Sequence, residues 1–153
     1  MNRKLKYLLL VIGLILVVGQ FVKPKQNIST EMSKDDITKH YAAPNKVEHL
    51  LQKACRDCHS NNTVYPKYAN FFPVSWYIYN HVYGGKKKLD FSMFATYDKE
   101  EQIHKMVEIK EVLEEGSMPL SSYELLHSEA RLTEKEIRSL SSWCDVVISQ
   151  IEK

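Results

Sequence analysis

Strand-like alternation of apolar and polar residues is missing from this sequence, and no internal repeat is visible, so the chain reads as all-α. At 153 residues it has room for one compact domain and lacks the length for a second. Cysteine is scarce, three in total, and two of the three fall in Cys55-Arg56-Asp57-Cys58-His59. Cys144 stands alone, and without a second close pair the four-ligand set of a structural zinc site is incomplete. A basic face is also missing. Setting aside Arg3, Lys4, Lys6, Lys23 and Lys25 leaves 16 basic against 19 acidic side chains, a net charge of −3, which excludes nucleic acid as a partner.

There is one long apolar run. Arg3, Lys4 and Lys6 precede Tyr7 to Val22, a stretch interrupted only by glycines and Gln20. About 18 residues rising 1.5 Å each nearly span the hydrocarbon core of a bilayer. A basic start before an apolar run describes both a cleaved signal peptide and an uncleaved signal anchor. Small residues at A-x-A spacing are absent from Val17-Val18-Gly19-Gln20-Phe21, which favours the anchor. The basic excess ahead of the run then leaves the N-terminus in the cytoplasm and carries the remainder across. The expectation is a transmembrane signal anchor (or signal peptide) over 1–22, a polar tether over 23–43 and a domain over 44–153. That domain would stand in the periplasm, held at a bacterial inner membrane.

Helical signals begin after Pro44-Asn45. Val47, Leu50, Leu51 and Ala54 share one face and run into Cys55. Between His59 and Tyr97 the chain is aromatic and irregular, and a short helix from about Pro73 to Tyr83 is predicted, closed by Gly84. Asp98 with Glu101, and Thr133 with Glu136, have the spacing of capping boxes. The first opens a helix with Ile103, Met106, Val107 and Lys110 on one face, ended by Gly116. The second opens the stripe Ile137, Leu140, Cys144, Val147, Ile148 and Ile151. About four helices with long aromatic-rich connections result.

Cys-x-x-Cys-His is the attachment signature of c-type haem. Its two thiols form thioethers with the haem vinyl groups and the adjacent histidine supplies a nitrogen to the iron. Two intervening residues in a helical turn let both sulfurs reach one haem edge while His59 points under the ring. Rival readings are a zinc module, a thioredoxin-like pair, for which a βαβ setting is missing, and a strained four-residue disulfide.

For the second axial ligand the candidates beyond the motif are Met93, Met106, Met118, His81, His104 and His127. Met118 is favoured because it sits in a loop between Gly116 and Pro119, and Pro119 restricts its backbone. Met106 lies on a helix stripe and reads as core, and Met93 as wall. His81 remains the alternative, and two histidine ligands would lower the potential. Cys144, beside Trp143, reads as a small buried hydrophobe, and Lys86-Lys87-Lys88 as a solvated turn.

The residues resemble the haem-binding domain of exported bacterial monohaem cytochrome c-like proteins, a family often found in Bacteroidetes. The resemblance runs through Cys55-Arg56-Asp57-Cys58-His59-Ser60-Asn61-Asn62-Thr63, Tyr65-Pro66, Pro73-Val74-Ser75-Trp76, His81-Val82, Gly85 and Leu89-Asp90-Phe91-Ser92. It resumes at Met118-Pro119, Tyr123, His127, Ala130, Leu132-Thr133, Glu136, Leu140 and Trp143. Lys67, Asp90 and Phe94 stand where an aromatic residue, Asn and Trp are common. The resemblance implies a cytochrome c-like fold around one covalent haem c held by Cys55, Cys58 and His59. It puts Met118 at the distal position, with Tyr65, Pro66, Trp76 and Pro119 around the cofactor. The implied function is single-electron transfer with redox partner proteins outside the cytoplasm, rather than catalysis. A gas or redox sensor, or an enzyme whose distal site opens, is the alternative.

Overall fold

Side-chain caps start four of the eight α-helical segments among the described residues. The computed structural model describes residues 2–153, and among these are eight α-helical segments and no strand. They are α1 (Arg3–Gly19), α2 (Ile37–His40), α3 (Asn45–Ala54), α4 (Arg56–His59), α5 (Val74–Lys88), α6 (Lys99–Glu114), α7 (Ser121–Glu124) and α8 (Glu134–Ile151). Asp98 accepts from the Glu101 amide at 2.8 Å and starts α6. Thr133 and Glu136 close a full capping box at the start of α8. Gly116, at φ 67°, ends α6. Its amide donates to Leu113 and the Ser117 amide to Val112, the paired bonds of a Schellman motif.

The core lies where α6 packs along α8 and α3 joins α8. Leu50 and Leu51 of α3, Met106 and Leu113 of α6, and Leu140, Cys144 and Val147 of α8 form one buried cluster with Phe91 and Phe94. Each such side chain contributes about 1.5–3 kcal/mol by leaving water. The face of α6 differs from the expected stripe by one residue: Gln102 is buried and Val107 is exposed. Gln102 is tolerated inside because it donates to the Tyr97 carbonyl at 2.8 Å and accepts from the Tyr41 hydroxyl at 2.6 Å.

Two expectations about the N-terminal third are corrected. First, α1 has 17 residues, about 25 Å at 1.5 Å per residue, and Arg3, Lys4 and Lys6 occupy its first turns. No helix among the described residues is long and apolar enough to cross a membrane, so neither the transmembrane helix nor inner-membrane anchoring stands. The helix stops because Gln20 turns its side chain back: its amide group donates to the carbonyls of Leu16 and Phe72 and accepts from the Phe72 amide. Second, the stretch expected to be a tether contributes to the domain. Asp36 and Ile37 are fully buried. Arg56 donates to both Asp36 carboxylate oxygens, at 2.8 and 3.0 Å, and Thr38 adds a hydroxyl and an amide to the same carboxylate.

The helix predicted to stop at Gly84 is also longer than expected. α5 continues through Gly84 and Gly85 to Lys88. Neither glycine has a positive φ, so the doublet does not end the helix. At Gly85 the missing Cβ serves a close contact, because a Cβ there would lie 2.6 Å from the Cys58 carbonyl oxygen.

The buried pair generates a stability prediction. Burial acts to raise the Asp36 carboxyl, but hydrogen bonds from Arg56 and Thr38 and the Arg56 charge outweigh it and hold the carboxyl below its usual value. A depressed folded-state pKa means that the stabilisation is present above about pH 4 and is lost as pH falls through the folded value. Asp36→Ala, which strands the Arg56 charge, is expected to cost about 3–5 kcal/mol at pH 7. Urea titrations of wild type and variant at pH 7 and pH 3 check both statements, and the gap between them should shrink at the lower pH.

Candidate functional site

The chain breaks helix at Cys55, whose φ of −129° and ψ of −47° separate α3 from α4. One turn follows, with the Cys58 and His59 amides donating back to the Cys55 carbonyl at 3.2 and 3.0 Å. Residues three and four apart in such a turn share a face, so both thiols and the imidazole point the same way. Arg56 points the other way into the core pair with Asp36, and its guanidinium lies 5.9 Å from the Phe91 ring centroid. Asp57 is fixed twice: Oδ1 accepts from the Val64 amide at 3.0 Å and Oδ2 from the Tyr123 hydroxyl at 2.8 Å.

A cleft opens over that face. One lobe, about 310 Å³, is lined by Cys55, Cys58, His59, His81, Gly85, Met118 and Pro119 among others. A second lobe, about 390 Å³, shares Cys55, His59, Lys88, Met118 and Pro119 with it and reaches Leu51, Phe91, Leu140, Trp143 and Cys144. Together they have the size and apolar lining of a cofactor site. A smaller pocket of about 100 Å³ behind Cys58 and Tyr123 contains Pro66 and His127.

The protonation states suit ligation. His59 Nδ1–H donates to the Leu89 carbonyl at 3.0 Å, which leaves Nε2 as the free lone pair. Burial lowers the His59 pKa against the pull of the Leu89 and Gly85 carbonyls and the Asp90 carboxylate. Burial pushes the Cys55 thiol up to about 12, opposed by Arg56 and reinforced by Cys58. It pushes Cys58 up to about 11, with Asp57 adding to it. All three cysteines are free thiols. Among the described residues there is no group of three or more His, Cys, Asp or Glu side chains that could hold a bare metal ion.

Five of the predicted site residues therefore meet: Cys55, Cys58, His59, Met118 and Pro119 line one lobe. Met118 arrives from the loop after α6, with its amide donating to the Val112 carbonyl at 3.3 Å. His81 lines the same lobe, and its Nδ1–H donates to the Tyr77 carbonyl at 2.8 Å. Met106 is fully buried in the core, Met93 is exposed, and the His104 side chain is mostly exposed beside Glu108.

Three wall residues lie elsewhere. Trp76 donates its indole N–H to the Val22 carbonyl at 2.9 Å, and the Tyr65 hydroxyl accepts from the Asn27 amide at 2.9 Å. Both hold the 20–27 segment rather than the cleft. Trp76 precedes Gly85 by nine residues, two and a half turns, which puts it on the opposite face of α5. Pro66 reaches only the smaller pocket. Asp57, Gly85 and Tyr123 were missed as contributors. All three fall in the stretches that carry the family resemblance, and the Gly84-Gly85 doublet was a further signal for Gly85.

The glycine doublet generates a paired prediction. Gly85→Ala must push α5 off the Cys58 backbone, an overpacking cost of about 1–3 kcal/mol. Gly84 has nothing within 4 Å of where its Cβ would be, so Gly84→Ala is expected to stabilise the helix by about 0.5–1 kcal/mol. Opposite shifts of the urea midpoint from two neighbouring substitutions check the contact.

Comparison with known proteins adds an independent finding. No curated protein and no solved structure matches the chain. A family model described as a haem-binding domain matches residues 14–146, a span that contains the Cys55–His59 turn and both lobes of the cleft. The chain belongs to the haem-binding domain family.

Proposed function

We propose that the chain is a monohaem c-type cytochrome domain that carries single electrons in the periplasm between redox partner proteins. The observation that carries this reading is the one-turn grouping of two neutral thiols and a neutral imidazole on a cleft wall. Donor chemistry and cleft both fit the cofactor. Cys55 and Cys58 would hold it as thioethers, and His59 would ligate the iron through the nitrogen left free by Leu89. Met118, on the loop that closes the same lobe, would supply the distal thioether. When bound, the haem supplies one-electron iron chemistry.

What the chain does is hold and exclude. The Leu89 carbonyl orients the His59 ring, the apolar lobe around Phe91, Leu140 and Trp143 keeps the local dielectric low, and Met118 would be the second protein ligand to the iron. A site ligated on both sides offers no coordination position to a substrate, which favours a carrier over an enzyme. His81 gives the alternative its footing. Its Nδ1–H is engaged with Tyr77, its Nε2 is free, and it lines the same lobe. Ligation by His81 would lower the potential and leave Met118 displaceable.

Mass spectrometry under denaturing conditions is expected to find one haem retained on the chain, and none on the Cys55→Ala, Cys58→Ala variant. The oxidised protein is expected to show the far-red charge-transfer band of thioether-ligated iron. Met118→Ala should abolish that band and let the reduced protein bind carbon monoxide. If the oxidised wild type lacks the band, and His81→Ala rather than Met118→Ala lets the reduced protein bind carbon monoxide, the distal assignment moves to His81. A colourless product of an intact haem-attachment system would overturn the covalent reading as a whole.

A further inference from the structure

The Met118 loop is held at both ends, and the second hold has no role in the binding described so far. On one side the Ser117 and Met118 amides donate to the Val112 carbonyl at 3.0 and 3.3 Å, which fixes the loop to the last turn of α6. On the other side Pro119 and Leu120 lead into α7, where Tyr123 donates its hydroxyl to Asp57 Oδ2 at 2.8 Å. Asp57 lies between the two haem-attachment cysteines. Its position is fixed by the Val64 amide on Oδ1 and by the Thr63 hydroxyl on its own carbonyl, at 3.0 and 2.7 Å. The Tyr123 ring stacks on His127 at 4.3 Å between centroids, and His127 Nε2 accepts from the Tyr68 hydroxyl at 3.2 Å. The phenol is half-buried and bonded to a carboxylate, the stronger class of hydrogen bond.

We propose that Asp57 and Tyr123 form a latch between the attachment turn and the loop that carries Met118, so that one hydrogen bond couples the proximal and distal sides of the haem site. Tyr123 is a positioning residue. It acts through Pro119 and Leu120, the two residues between Met118 and α7, and sets how often the thioether side of the cleft opens. The proposal rests on the reading of Met118 as the distal ligand. Its content is separate: the stability of that ligation is governed by a contact between two residues 66 apart in sequence, one of them on the attachment turn itself.

The test uses the full-length, haem-loaded protein and imidazole as a competing distal ligand at one fixed neutral pH. Tyr123→Phe keeps the ring on His127 and removes only the hydroxyl. It is expected to tighten apparent imidazole binding by about tenfold or more, the worth of a hydrogen bond to a charged group transferred to the open population. Asp57→Ala should do the same, and the double variant should add little beyond either, because both remove one bond. In the haem-loaded chain the Leu125 amide, which donates to the Ser121 carbonyl at the end of α7, should exchange faster by a similar factor in Tyr123→Phe. Unchanged imidazole affinity in Tyr123→Phe, or additive effects in the double variant, overturns the latch. Met118→Ala separates the two failures. If it leaves imidazole binding unchanged, the distal assignment fails and the latch with it. If it tightens binding while Tyr123→Phe does not, only the latch fails.

Discussion

A single turn of helix has to face two sulfurs and an imidazole in one direction while something else holds that turn to the protein. The structure meets this constraint with the two residues between the cysteines. Arg56 turns inward to a fully buried carboxylate, and Asp57 turns sideways to Val64 and Tyr123. Gly85 then lets the α5 backbone close directly on the Cys58 carbonyl. Three contacts from distant parts of the chain therefore converge on four residues, and the geometry of the cleft follows from them. A buried ion pair adds little net stability over an apolar replacement, so its use here fits the task of fixing one orientation of the turn.

The two lobes of the cleft reach four helices, from Leu51 on α3 and His81 on α5 to Val112 on α6 and Leu140 on α8. A cofactor seated there completes the apolar core rather than decorating its surface. The same enclosure that suits a porphyrin disfavours charge on Cys55, Cys58 and His59, the groups that would hold it.

Some of this was legible in the sequence because it is local. Capping residues, the Gly116 stop, the stripe of α8 and the helical turn over Arg56–His59 all follow from spacing over a few residues, and each is found. The failures are of another kind. Gln102 is buried because Tyr41 and Tyr97 satisfy it, and Trp76 leaves the cleft because α5 continues through a glycine doublet that reads locally as a terminator. The 23–43 stretch looks like a tether because its one buried apolar side chain, Ile37, sits beside a buried charge whose partner is 20 residues away. The apolar N-terminal run carried a membrane reading by composition, but Gln20 ends its helix by bonding to Phe72, a tertiary contact that hydropathy does not register. Pairing at long range decided all of these outcomes.

The stop at the end of α6 bears on how the chain tolerates change in length. Gly116 terminates a 16-residue helix, and Met118 follows two residues later. Adding one residue inside α6 would rotate everything after the insertion by about 100° and advance it by about 1.5 Å, carrying the Met118 sulfur away from the Cys55–His59 turn whose lobe it lines. The irregular stretch between His59 and α5 has no such phase to keep. Insertions and deletions among homologous chains should therefore avoid α6 and gather in the segments where the path of the backbone is not counted in turns.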